Sequence, residues 1–547
     1  MKNNRVLVIG LDGASWVVLE PLIAAGRLPN LSRLIHKGVS GFLRSTIPPV
    51  TAPAWVSFST GVNPGKHGVF SFETHGTDGR PMGFVSSHSV RAPRLWQMLS
   101  EQGKRVTVIN MPVTYPPEPI NGLIVSGMLT PTRDSQFTYP SKLRREIYSL
   151  DPNYVTDVNL LTRNRTMATV KEKMNFVKET HSAMHSRSVV AKHLMKQYPW
   201  DLFVVVFVTM DRIQHVLWNY LEPADKPPAS LEQIQSAIYE LYSDLDAIVG
   251  QLLADAGDDI TTFIMSDHGF GPLRNAVNIN RWLQQHGLLA FYESKGNVRG
   301  WLLRQSQIVQ WKRFVPETLR SRLRAPFDQT ECIDWAHTKA YSSSPIEQGI
   351  YINSPDRRQG GIVQTKEEAT QIKKEIKRLL PQLEDPATDL PVIEAVYEAS
   401  ELMEGPYVSK APDLIYQPSD SGYLANDGTP DFNLFDRGEY WIDGGYHRPD
   451  GVLIVRGSNV KQDFKVFGAS IVDLVPTILY TLNLPIQKHL DGAVLQSIFD
   501  DNYLKTHPLK ILDSNIRNDE QEFVASAYSE DDSEIIHSRL RDLGYID

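Results

Sequence analysis

Three uninterrupted runs of strand-forming residues each end at an aspartate: Val6–Leu11 before Asp12, Leu202–Met210 before Asp211, and Thr262–Ser266 before Asp267. Runs of this length without polar alternation belong to strands covered on both faces, as in a parallel sheet flanked by helices. In such sheets ligands bind in the crevice at the carboxyl ends of the strands, so acids delivered there by several strands converge on one place. Carboxylates brought together repel one another, and a cation removes that cost. Asp211 is followed four residues later by His215, and Asp267 directly by His268. The pattern therefore points to a metal site.

The chain of 547 residues, 41% of them hydrophobic, can bury a large core and is long enough for several domains. Its net charge of −8, from 56 Lys and Arg against 64 Asp and Glu, argues against a surface built throughout for nucleic acid. One cysteine, Cys332, excludes an intrachain disulfide and a cysteine-based zinc cluster. Met1–Arg5 leads straight into the first strand, whose apolar run is too short for a signal peptide and has no cleavage site after it. The longest apolar run, Leu202–Met210, falls well short of the roughly 18 residues of a membrane span. A cytoplasmic protein with no transmembrane segment is expected.

The order of elements is β-α-β-α over most of the length, which predicts an α/β layered domain. Helices are expected at Trp16–Gly26 and Leu31–Lys37, with strands at Val106–Ile109, Gly122–Val125 and Val452–Val455. A further helix is predicted from Thr51 as N-cap, with Pro53 in its first turn and Gly61 as its stop. The polar, helical stretch from Leu143 to Lys196 reads as a lid or an outer layer. Between Lys295 and Arg324 eight Lys and Arg face one acid, Glu317, with Trp301, Trp311 and Phe314 interleaved. That segment is either an amphipathic helix pair packing its tryptophans on the core or a docking face for an anionic polymer or membrane surface. These shifts divide the chain into a core of 1–290 with 340–500, a basic helical insertion of 291–339, and an acidic tail, 501–547, that ends in a capping helix over Ile535–Leu543.

Individual residues leave alternatives open. Asp211 and His215, four apart, suit two ligands on one helical face but also an ordinary surface contact. Asp267-His268 is followed by Gly269 and Gly271, which would permit a sharp turn aiming both side chains into one crevice. Asp12-Gly13 fits a turn as well as a ligand, and its surroundings do not match the glycine pattern of a dinucleotide-binding loop. His447 lies in a glycine-rich segment, Asp443–Gly451, expected to be a loop.

Taken in order, Asp12, Thr51, Asp211/His215, Asp267/His268 and His447 resemble the ligand set of the alkaline phosphatase superfamily. The likeness is nearest to the type I phosphodiesterase/nucleotide pyrophosphatase branch and its predicted phosphohydrolase and phosphomutase relatives. It is carried by Leu11-Asp12-Gly13, Pro48–Trp55, Thr60–Val69, Ser266–Gly269 and Asp473–Leu479. The resemblance implies an alkaline-phosphatase-like three-layer sandwich with a mostly parallel central sheet and inserted helical subdomains. It implies two divalent metal ions, one on Asp211, His215 and His447, the other on Asp12, Asp267, His268 and Thr51. Mixed Asp/His ligation suits zinc, with manganese as the alternative. Thr51 would be the nucleophile, activated by a dication and the helix N-terminus, and would form a phosphothreonine intermediate. The expected substrate is a phosphorylated small molecule or nucleotide-like diester. A phosphomutase or phosphomonoesterase on the same site is the alternative, and a non-catalytic module for anionic polymers or lipids a further one. The chain departs from the family at Gly68-Val69-Phe70-Ser71-Phe72, where relatives carry an asparagine that contacts a phosphoryl oxygen. Lys66, His67 and Asn110 are the candidates for replacing it. The surroundings of Cys332 lack the sulfatase pattern.

Overall fold

The computed structural model describes residues 4–76, 78, 80–158, 167, 169–221, 229–292, 332–343, 347–420, 422–426, 433–436, 444–513 and 527–543. Its centre is a sheet of nine strands: β1 (Arg5–Leu11), β2 (Val39–Arg44), β3 (Val106–Met111), β4 (Gly122–Ser126), β5 (Thr138–Tyr139), β6 (Leu202–Phe207), β7 (Ile260–Met265), β8 (Asp450–Arg456) and β9 (Phe464–Ser470). They run in the order β9-β2-β8-β7-β1-β6-β3-β4-β5. The central stretch from β7 to β4 is parallel throughout, and β8 and β5 add antiparallel pairings.

Burial on both faces explains the missing polar alternation. Along β1, Leu7, Ile9 and Leu11 enter one apolar layer while Val6 and Val8 enter the other, and β6 divides its residues the same way. The first layer is closed by two 28-residue helices, here α2 (Val170–Gln197) and α4 (Ala229–Ala256). The second is closed in part by α1 (Thr51–Thr60). The helix α2, which contains Lys196, is thus part of an outer layer of the sandwich.

The apolar run from Leu202 does not remain a strand to Met210. It leaves the sheet at Phe207, and α3 (Thr209–Leu217) begins one residue after Val208, so Asp211 sits in a first helical turn. A buried strand and a buried helix start look alike in a run of apolar residues, which is why the boundary was misplaced.

Ala340, Tyr341, Tyr351, Leu414 and Tyr416 belong to a third hydrophobic cluster, besides the two layers of the central sheet. Strands Ala340–Tyr341, Gly349–Ile352, Leu414–Pro418 and Ile393–Glu398 form an antiparallel sheet. Against it pack Ile372 and Ile376 of α5 (Lys366–Leu379). The basic segment 295–324 lies outside the described residues. The acidic residues of the tail open the last helix, α6 (Glu530–Leu543), where Glu530, Asp531 and Asp532 meet the positive helix end. Arg539 of α6 donates to the carbonyls of Thr130 and Pro131, fastening this helix to the body. Among the described residues no helix is long and apolar enough to cross a membrane.

Candidate active site

Asp12 follows β1, Asp267 and His268 follow β7, and Asp211 follows β6 after one turn onto α3. The strands are neighbours in the order β7-β1-β6, so the three acids meet at one end of the sheet. Gly13 has φ of 68°, and its N–H donates to Asp267 Oδ1 at 3.2 Å, tying the first loop to the third.

His447 is not on a loop. It belongs to a short strand, Gly445–Arg448, that pairs antiparallel with Gly269–Pro272. Phe270 stands opposite His447, and the His268 and His447 rings stack with centroids 3.6 Å apart. Gly269 and Gly271 therefore serve close approach between strands rather than a turn. A Cβ on Gly269 would lie 2.1 Å from the Asp450 carbonyl oxygen, and one on Gly271 2.8 Å from Arg448 Nε.

The side chains converge. Asp211 Oδ1 lies 3.2 Å from His215 Nε2 and 3.3 Å from His447 Nε2, and those two nitrogens are 2.9 Å apart. His268 Nε2 lies 3.2 Å from Asp267 Oδ2, 3.8 Å from Asp12 Oδ1 and 3.1 Å from Thr51 Oγ1. Asp211, His215 and His447 form one group with ligand atoms within 4.8 Å of one another, and Asp12, Asp211 and His268 form a second. Thr51 is not the N-cap. Val50 holds that position and Thr51 is the first helical residue, its hydroxyl turned to His268 instead of its own backbone. Gly61 ends the helix in the left-handed region as expected.

The tautomers are set by carbonyls, which only accept. His447 Nδ1 faces the Pro49 oxygen at 2.8 Å and His268 Nδ1 faces the Gly269 oxygen at 3.0 Å. Each Nδ1 thus carries hydrogen, and in the neutral ring Nε2 presents a lone pair to the acids. Burial holds His447 down to about 4, and burial together with the His447 ring holds His268 well below the ordinary imidazole range. Burial, then the charge of Asp211, pushes Asp12 well above the ordinary carboxylate range; burial, then Asp12, does the same to Asp267. Asp12 Oδ1 and Asp267 Oδ2 are buried without a hydrogen-bond partner. Partnerless buried carboxylate oxygens beside imidazole lone pairs are donors that could hold a cation.

Three supports escaped the sequence reading. The indole N–H of Trp55, four residues after Thr51 and so on the same helical face, donates to Asp12 Oδ2 at 3.0 Å. Arg212, beside Asp211, bonds its carboxylate and also grips Asp157 through Nη2 at 2.6 Å and Nε at 3.2 Å. Phe270 packs its ring edge to face against His215 at 4.8 Å. The spacing of Trp55 and the adjacency of Arg212 were visible signals; nothing marked Asp157.

The three candidate substrate-binding residues are engaged elsewhere. Lys66 Nζ pairs with Asp491 and with Glu404. His67 Nε2 bonds Ser57 Oγ at 2.9 Å while its Nδ1 accepts from the Val69 N–H. Asn110 donates to the Thr156 carbonyl and accepts from Tyr154 Oη. At the departure from the family pattern, Val69 and Phe72 are buried in the core and Phe70 packs with the Met403 cluster.

Solved structures with this fold include phosphonoacetate hydrolase from Sinorhizobium meliloti 1021 in complex with phosphonoacetate, at TM-score 0.51 and 13% identity over 88% of this chain and 95% of that one. Wild-type alkaline phosphatase PafA matches at TM-score 0.51 and 13% identity over 91% of this chain and 100% of that one. Human ectonucleotide pyrophosphatase/phosphodiesterase 5 is similar at TM-score 0.46 and 12% identity, over 91% and 100% respectively. No curated protein sequence matches significantly. The family model for type I phosphodiesterase/nucleotide pyrophosphatase matches residues 6–450, from β1 to the start of β8, and the chain belongs to that family.

Proposed function

We propose that this phosphoryl-transfer hydrolase cleaves phosphate diesters through a phosphothreonine on Thr51, with two divalent cations, zinc or manganese, held by the clustered acids and imidazoles. The observation that carries this reading is the pair of buried, partnerless oxygens, Asp12 Oδ1 and Asp267 Oδ2, beside the lone pair of His268 Nε2. Asp211, His215 and His447 would hold one ion, and Asp12, Asp267 and His268 with Thr51 Oγ1 the other. Bound there, the pair would supply Lewis acidity toward the threonine hydroxyl and the phosphoryl oxygens.

The chain's own residues do the rest. Thr51 stands at the positive end of α1, so negative charge developing on Oγ1 is favoured. Its attack forms the Oγ1–phosphorus bond as the bond to the leaving alcohol breaks, and water then cleaves the phosphothreonine. Two inversions leave the configuration at phosphorus retained. Trp55 and Gly13 fix the orientation of Asp12 and Asp267 throughout, and Arg212 that of Asp211.

The test is hydrolysis of bis(p-nitrophenyl) phosphate and p-nitrophenyl phosphate by wild type and Thr51→Ala, alongside metal analysis. The diester should be the better substrate, and Thr51→Ala should lose on the order of 10³-fold or more of the rate. An unchanged rate in Thr51→Ala would refute the nucleophile; a preference for the monoester would shift the assignment to a phosphomonoesterase.

A further inference from the structure

Away from this centre, the outer helical layer carries another set of ligand-type side chains. His181 and His185 are four residues apart on α2, so their rings share one face, with centroids 4.6 Å apart. Asp244 on α4 faces them and places Oδ2 2.7 Å from His181 Nε2. One ligand atom from each of the three lies within 4.8 Å of the others. We propose that His181, His185 and Asp244 form a further metal site, for a single divalent transition-metal ion of the zinc class, that staples α2 to α4.

An ordinary ion pair accounts for less of this arrangement. A hydrogen bond employs one imidazole and one carboxylate, and a second imidazole set edge to face against the first adds nothing to it. A cation uses all three. Two imidazoles and a carboxylate match the donor preference of zinc, whose bonds to nitrogen and oxygen are about 2.0–2.2 Å. Donor atoms on such an ion stand roughly 3.3–3.6 Å apart in a tetrahedron, so small rotations of these side chains complete the site. His185 is exposed, and the side chains of His181 and Asp244 are 35% and 50% accessible, so the ion has an open path. Three protein ligands leave a fourth position for water.

The consequence is mechanical. In the turn after His185, Arg187 reaches inward from α2 and donates to the Val206 carbonyl at 3.2 Å and the Thr156 carbonyl at 2.8 Å. An ion shared between α2 and α4 would therefore brace the helix whose inner face supports β6, the strand leading to Asp211.

The inference does not depend on the catalytic reading, because neither imidazole belongs to the centre at the end of strands β7, β1 and β6. It is tested with the untagged full chain, stripped with chelator and dialysed against buffered zinc, as wild type and as His181→Gln/His185→Gln. Wild type should retain one more zinc per chain than the double variant and show a larger zinc-induced rise in melting temperature. Melting in chelator should be the same for both, and diester hydrolysis at saturating metal should be unchanged. Equal zinc content with equal zinc-induced shifts would overturn the proposal. Should the double variant melt lower in chelator, His185→Gln alone, which alters one exposed ring, must still lose the extra zinc; if it does not, the proposal fails.

Discussion

Arg212 holds together two buried acids from distant parts of the chain, and its removal has a calculable signature. Its guanidinium is shared between Asp211 and Asp157, and all three side chains are essentially inaccessible to solvent. Burial opposes ionisation of Asp157, but the charge and hydrogen bonds of Arg212 outweigh it and hold the carboxyl below its ordinary value. Arg212→Met keeps most of the side-chain volume and strands the Asp157 carboxylate, while Asp211 keeps His215 and His447. Breaking a buried pair from one side costs about 3–5 kcal/mol. Adding Asp157→Asn removes the stranded charge, while its amide oxygen still accepts the Val158 N–H, which lies 2.8 Å from Oδ1 in the wild type. The double variant should therefore be more stable than Arg212→Met alone, by about 1–3 kcal/mol. Urea unfolding followed by tryptophan fluorescence, on all four members of the cycle, measures this. A loss below about 1 kcal/mol for Arg212→Met, or a double variant no more stable than the single, would refute the claim that the cost is stranded charge.

Burial and then the nearby Arg94 hold His67 down to about 3, from an ordinary 6.5, so its contribution to stability is complete above pH 6.5 and is lost as pH falls toward 3. His67→Gln should flatten the pH dependence of the unfolding free energy in urea between pH 5.5 and 4 by about 1.3 kcal/mol per unit, and parallel curves for the two proteins would exclude this. Stripping metal with chelator should lower apparent stability by about 4 kcal/mol relative to protein at a thousand-fold excess of zinc over its dissociation constant, read as a drop in melting temperature. Trp55→Phe, which deletes the N–H on Asp12, should weaken metal affinity about 10- to 100-fold in a chelator competition. Gly10→Ala would place a Cβ 2.4 Å from Trp55 Cη2 and should cost about 1–3 kcal/mol. Combined with Trp55→Phe, which vacates that space, Gly10→Ala should regain most of this stability in urea unfolding while metal affinity stays low.

The parts of the site legible in the sequence are those that a single chain segment specifies. Asp12 and Asp267 end strands buried on both faces, and that burial removes the polar alternation an exposed strand would keep, so the segments announce themselves. His215 was readable from Asp211 because four residues is a helical spacing, even though the strand boundary before it was misplaced. The illegible parts depend on two segments meeting. His447 looked like a loop histidine because its strand exists only through pairing with Gly269–Pro272, and the glycines there looked like turn residues because the backbone they must admit, at Asp450, is 181 positions away from Gly269. Lys66, His67 and Asn110 stand out by their chemistry alone, and the partner each has inside the fold follows no local pattern. Gly10 joins the two cases. It falls on the same face as Val6 and Val8, where periodicity calls for an apolar side chain, and the absence of one makes room for Trp55. The indole that fills this space carries the N–H bonded to Asp12, two residues further along the chain. The gap in the hydrophobic pattern of β1 is thus the imprint of a side chain from α1 that reaches through to Asp12.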